Sequence, residues 1–129
     1  MLFLRIYLVL HCLFIAHHAI AETESNDSAA TANILTSGVS MTGQLSSAAD
    51  QDYFQIVVSD SGTLTVTTTH FSGNDVQILN SALEVIGGWS TSGTTTNKFG
   101  ITSPGSYYIR VYETNTFVDT DTYTITATV

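Results

Sequence analysis

Tyr123-Thr124-Ile125-Thr126-Ala127-Thr128-Val129 alternates apolar and hydroxyl side chains without a break. Successive side chains of an extended chain point to opposite faces, so Tyr123, Ile125, Ala127 and Val129 share one side and the threonines the other. Such a segment is a strand with one face in a core and one in water. The pattern recurs upstream. Residues 107–112 set Tyr107, Ile109 and Val111 against Tyr108, Arg110 and Tyr112, and residues 53–58 align Phe54, Ile56 and Val58. Residues 63–69 alternate Leu64 and Val66 with threonine, and residues 98–102 put Phe99 and Ile101 on one side. Two short apolar runs, 76–79 and 83–86, complete the set, the second ended by Gly87-Gly88. Turn-forming clusters separate the runs: Ser59-Asp60-Ser61-Gly62, Ser72-Gly73-Asn74-Asp75, Ser92-Gly93 and Ser103-Pro104-Gly105. No 3.6-residue period lasts a useful length. The one helical hint, residues 28–35 after an Asp27 or Ser28 cap, allows a turn or two. Short strands with turns at this spacing predict an all-β antiparallel sandwich or barrel.

The 129 residues suffice for one domain. Residues 1–21 have the layout of a secretory signal peptide: Arg5, an apolar run over 6–20, and the small-x-small site Ala19-Ile20-Ala21, after which Glu22 becomes the new N-terminus. The apolar run is broken by His11, His17 and His18 and is short for a membrane span. Cys12, the one cysteine, leaves with the signal, so no disulfide staples the rest. The division expected is a signal peptide over 1–21, an acidic segment over 22–33 and a sandwich domain over 34–129. All 11 acidic residues follow the signal, and only Lys98 and Arg110 oppose them there. That balance argues against nucleic acid and anionic membranes, which need lysine and arginine clusters. It favours solubility and divalent cations. The expected location is secreted or periplasmic, and the expected state is a monomer.

The order of motifs beyond the signal resembles one family. Glu24-Ser25-Asn26-Asp27-Ser28 is followed by Gly43-Gln44-Leu45, then by Asp50-Gln51-Asp52-Tyr53-Phe54 and Gly62-Thr63-Leu64-Thr65-Val66. Asp75-Val76-Gln77-Ile78-Leu79, Gly105-Ser106-Tyr107-Tyr108-Ile109-Arg110-Val111 and Thr122-Tyr123-Thr124-Ile125 complete the series. Together they are similar to the bacterial pre-peptidase C-terminal domain. The resemblance implies a jelly-roll-like β-sandwich that accompanies secreted proteases, some relatives being collagen-binding or other substrate-binding modules. This chain reads as a stand-alone copy, and it has Ser25 where the family commonly has proline.

The acidic N-terminal segment carries the strongest candidate site. In extended chain Glu22, Glu24 and Asn26 present oxygens on one side, with Asp27 turning the corner. Asp50 and Asp52 complete a shell if that segment packs beside the strand they begin. Calcium takes six to eight such oxygens. Calcium-binding members of the resembled family use the matching segment plus an acid ahead of the Tyr-Phe strand, which implies Glu22, Glu24, Asn26, Asp27, Asp50 and Asp52 as ligands. In the competing reading Asn26 and Asp27 cap a short turn while Asp50 and Asp52 hydrogen-bond a loop. A second candidate is an aromatic surface of Tyr108, Arg110 and Tyr112, with Trp89 either joining it or closing one end of the core.

Catalysis finds little support. His70 is the one histidine outside the signal and no nucleophile elbow surrounds a serine. Nothing positions Asp75 with Glu84 or Glu113 as a glycosidase pair, and zinc lacks ligands. The expected function is therefore a non-catalytic exported binding or accessory domain, calcium-stabilised, contacting an extracellular protein or polysaccharide. The alternative is a structural or secretion-assisting domain for a separately encoded protease, with no ligand beyond calcium.

Overall fold

The computed structural model describes residues 19–70, 73–114 and 121–129, and for His70 the backbone alone. The apolar run of the expected signal peptide lies outside these residues up to position 18, as does Ser72 of one expected turn. In chain order the elements are β1 (Ile20–Ala21), a 3-10 turn (Ala29–Thr31), β2 (Asn33–Ile34), β3 (Ser40–Gly43), β4 (Gln51–Val58), β5 (Gly62–His70), β6 (Asp75–Leu79), β7 (Val85–Ser90), β8 (Gly93–Ile101), β9 (Gly105–Tyr112) and β10 (Tyr123–Thr128). Two five-stranded sheets face each other, ordered β1-β3-β10-β5-β8 and β2-β4-β9-β6-β7. From β3 onward each strand lies in the sheet opposite its predecessor, except for the β6–β7 hairpin. That alternation gives the sandwich its jelly-roll character.

The alternation read from sequence is what the two layers bury. Phe54 and Ile56 of β4, Ile109 of β9 and Ile78 of β6 meet Leu64 and Val66 of β5 and Ile125 of β10, all essentially without solvent contact. Each such side chain contributes about 1.5–3 kcal/mol on burial, enough for a domain without disulfides to hold together. Most threonines of β5, β8 and β10 lie on the outer face and bond across strands, Thr69 to Thr124 at 2.7 Å and Thr67 to Thr96 at 3.0 Å, while Thr68 is buried on the inner side and pairs with Thr95 at 3.0 Å. Threonine thus serves as a strand former that also satisfies its own hydroxyl.

Three details depart from the sequence expectation. The Gly87-Gly88 pair does not end a strand, because β7 runs through it to Ser90. Gly87 faces inward, where a Cβ would collide with the Phe99 ring, so glycine is there for packing. Leu83 instead takes the turn, with φ of 62°. Secondly, β1 and β2 pair in parallel with β3 and β4, so the sheets are not wholly antiparallel. Thirdly, β8 starts at Gly93, since Thr94 to Asn97 pair with β5 although they offer no apolar face. The expected cleavage point after Ala21 falls at the end of β1, so processing there would leave β3 as the edge of its sheet.

Candidate functional site

The acidic segment runs along one end of the sandwich and is fastened at several points. Glu22 N–H donates to the Thr42 carbonyl at 2.8 Å, and Tyr53 N–H donates to the Asn26 carbonyl at 3.0 Å. The Asn33 side chain holds Thr23 from both sides, accepting from its N–H at 2.9 Å and donating to its carbonyl at 3.0 Å. These bonds lay the segment beside the start of β4, the arrangement that brings Asp52 to it.

Glu22, Glu24 and Asp52 each place a carboxylate oxygen within 4.8 Å of the other two. Asp52 and Asn26 are completely buried, while Glu22 is half-buried and Glu24 exposed. The Asn26 amide donates to Glu22 Oε2 at 3.1 Å, which leaves its Oδ1 buried with no hydrogen-bond partner among the described residues. Asp52 is in the same position: the Tyr123 hydroxyl donates to its Oδ2, while its Oδ1 is buried and unpartnered among them. Burial without a partner costs a polar oxygen about 1–3 kcal/mol, and more when it carries charge. Two such oxygens beside two further carboxylates make an oxygen-rich pocket short of positive charge.

The ionisation of the cluster reflects this. Desolvation pushes the Asp52 carboxyl from 3.8 up to about 8, against the Tyr123 hydrogen bond, with Glu22, Asp50 and Glu24 adding repulsion. Burial also raises Glu22, with Glu24 adding to the effect, although hydrogen bonds with the Gln44 N–H, the Asn26 amide and the Asp52 carboxyl oppose it. Tyr123 is itself held well above the usual tyrosine range by burial and by the Asp52 charge.

The floor of the site is built across both sheets. Tyr123 sits opposite Gly43 in the β3–β10 ladder, and a Cβ on Gly43 would overlap the Tyr123 ring. Glycine is the residue that lets the ring cross β3 and reach Asp52. Phe54 packs edge-on to the same ring, with centroids 6.3 Å apart, and fixes it from the other sheet.

Of the six expected ligands, Glu22, Glu24, Asn26 and Asp52 converge. Asp27 and Asp50 sit beside each other around an adjoining depression with Glu24, Ser25 and Ser46. Asp27 accepts from the Ser25 hydroxyl, and that bond, with Asp50 helping, holds its carboxyl below the usual range. Asp50 caps its own loop, accepting from Ser46 N–H with one oxygen and from Gln51 N–H at 2.9 Å with the other. Tyr123 and Gly43 are members of the site that sequence reading passed over. Alternation marked Tyr123 as core, and nothing local showed that its hydroxyl meets an acid 71 residues away.

The aromatic candidates separate. Tyr108, Arg110 and Tyr112 lie on the outer face of the second sheet, with the Arg110 guanidinium 4.1 Å from the centre of the Tyr112 ring. Trp89 is on the inner side, opposite Val76, stacked on Phe99 at 5.6 Å, with Nε1 donating to Thr95 at 3.0 Å. It closes the open edge between β7 and β8. Tyr107 and Tyr123 are buried.

No family model matches the chain, and no curated protein matches it in sequence. Its structure is similar to a 1.0 Å crystal structure, the pre-peptidase C-terminal domain of collagenase from Bacillus anthracis. The TM-score is 0.63, with 16% identity, covering 74% of this chain and 93% of that one. The chain has that domain's fold. The match extends over nearly the whole of the compared domain, so the architecture expected from the motif order is the one present. Among the described residues no helix is long and apolar enough to cross a membrane.

Proposed function

We propose that this protein is a non-catalytic, exported accessory domain that binds a calcium ion at the Glu22–Glu24–Asn26–Asp52 cluster and contacts an extracellular protein or polysaccharide. The observation carrying the proposal is the pair of buried, unpartnered oxygens on Asn26 and Asp52, set beside the Glu22 and Glu24 carboxylates. The donors are all hard oxygens, three carboxylates and one amide carbonyl, and they include neither thiolate nor imidazole. Such a set suits calcium and not zinc. Asp27 and Asp50 stand next to the cluster and add negative charge. A bound cation would relieve the repulsion that raises Asp52 and give its inner oxygen and that of Asn26 a partner.

The ion would act structurally. It would tie the N-terminal segment to the start of β4, and a ligand bound only by the folded state stabilises by mass action, about 2.7 kcal/mol at a hundredfold excess over Kd. Similarity in fold to a collagenase domain supports the accessory reading, and the signal-like N-terminus supports export. The test is calorimetry on the purified protein with calcium, with magnesium as control. Calcium should give a binding heat and a rise in Tm, both lost in Glu24→Gln and Asn26→Ala. Absence of heat and of a Tm shift in the wild-type protein would end the calcium reading.

A further inference from the structure

The peptide bond between Ala21 and Glu22, where the sequence places removal of the leader, is built into the fold. On its N-terminal side Ile20 and Ala21 form β1 and pair in parallel with Met41 and Thr42 of β3. On its C-terminal side the chain is tied down residue by residue. The nitrogen of the bond itself, Glu22 N–H, donates to the Thr42 carbonyl at 2.8 Å. The Glu22 carboxylate accepts from the Gln44 N–H at 2.6 Å and from the Asn26 amide at 3.1 Å. Asn33 of β2 grips Thr23 through both its N–H and its carbonyl, at 2.9 and 3.0 Å. The Asn26 carbonyl then accepts from Tyr53 N–H of β4 at 3.0 Å.

Ala19, Ala21 and Thr23 are exposed, so the bond lies at the surface. Exposure alone does not make a bond cleavable. A protease closes around an extended segment and pairs with its backbone, so a segment already committed to hydrogen bonds must first leave the fold. A leader joined through a loose linker is open to cleavage whether or not the domain has folded. Here the residues on both sides of the bond belong to the domain: Ala21 is in β1, Glu22 is bonded to Thr42, and Thr23 is held by β2.

We propose that folding closes the Ala21–Glu22 bond to signal peptidase, so the leader is removed only before residues 20–26 dock, and a chain that folds first keeps it. In the cut, water adds across the bond, leaving a carboxylate on Ala21 and an ammonium on Glu22. The inference rests on the export reading, with its cut after Ala21, and not on calcium. The test incubates the full chain, in mild detergent and chelator, with purified signal peptidase, and reads the product by mass spectrometry. Two comparators lack the fold: a synthetic peptide of residues 10–30, and full-chain Ile125→Asp, which puts a charge at a fully buried core position. Both should be cut after Ala21, and the folded wild type about a hundredfold more slowly, as several hydrogen bonds must open first. Asn33→Ala frees Thr23 without altering Ala19 or Ala21, the residues the enzyme reads, and should be cut about tenfold faster than the wild type. Its Trp89 emission should match that of the folded wild type, which separates a loosened segment from a lost fold. Equal rates for wild type and Ile125→Asp would overturn the proposal and leave the export reading standing, and Asn33→Ala cut no faster than wild type would overturn it as well. No cut after Ala21 in either comparator would remove the processing point itself, and the proposal with it.

Discussion

Replacing Asp52 by asparagine should make the metal-free protein more stable at neutral pH while abolishing its response to calcium. Burial pushes the Asp52 carboxyl from 3.8 to about 8, so the folded state holds a proton that the unfolded chain has released over most of that range. Stability from this group is complete below about pH 4 and is lost as pH rises towards 8. One proton is worth about 1.4 kcal/mol per pH unit, so between pH 5 and pH 8 the metal-free wild type should lose about 3–4 kcal/mol from this source. That is a large part of the 5–15 kcal/mol typical of a domain. Glu22 is raised as well and adds in the same direction. The amide introduced by Asp52→Asn cannot ionise; it can donate to the neighbouring carboxylates while its oxygen still accepts from Tyr123. Calcium at the proposed site should reverse the sign in the wild type, because the ion needs the ionised acid, so its stabilising effect should grow with pH over the same window. Urea melts at pH 5, 6.5 and 8, in chelator and in calcium, measure all of this. The reasoning fails if chelated wild type is as stable at pH 8 as at pH 5, or if Asp52→Asn shows the same pH slope as wild type.

Two further outcomes follow from the packing. Gly43→Ala places a methyl against the Tyr123 ring and should cost about 1–3 kcal/mol in a urea melt, as overpacking does, and should weaken calcium binding because Tyr123 no longer orients Asp52. Trp89 is the single tryptophan, so its emission should be blue-shifted in the folded state and shift red in one step on unfolding; Trp89→Ala, losing the Phe99 stack and the Thr95 bond, should cost about 2 kcal/mol in the same melt.

How much was written locally explains what could be read. The period-two pattern of residues 53–58, 107–112 and 123–129 recovered β4, β9 and β10, because a strand packed on one face must alternate. Short edge strands carry no such mark. Asn33–Ile34 and Ile20–Ala21 are strands by virtue of the neighbours they pair with, and Thr94 to Asn97 extend β8 through backbone pairing with β5 and hydroxyl bonds of Thr95 and Thr96, not through an apolar stripe. Gly87-Gly88 looked like a stop because a glycine required by a ring from another strand is indistinguishable, in sequence, from one required by a turn.

The site divides along the same line. The spacing of Glu22, Glu24 and Asn26 showed that one extended segment could aim its oxygens together, and Asp52 was near the start of a recognisable strand. What spacing cannot show is which oxygens the fold has already used. Asp50 and Asp52 are the same residue two positions apart, yet the loop ahead of β4 turns its amides onto Asp50, whereas Asp52 points inward to the Tyr123 hydroxyl and the Glu22 carboxyl. The difference comes from alternation itself: Asp52 falls on the face shared by Phe54 and Ile56, so the residue that continues the core stripe of β4 is an acid. A carboxylate in a core position with one oxygen unmatched is costly unless something positive reaches it. The ionisable groups that crowd it are Glu22 and Glu24, which deepen the deficit instead of offsetting it. Without a cation the group keeps its proton up to about pH 8, and the proposed calcium ion would take that proton's place.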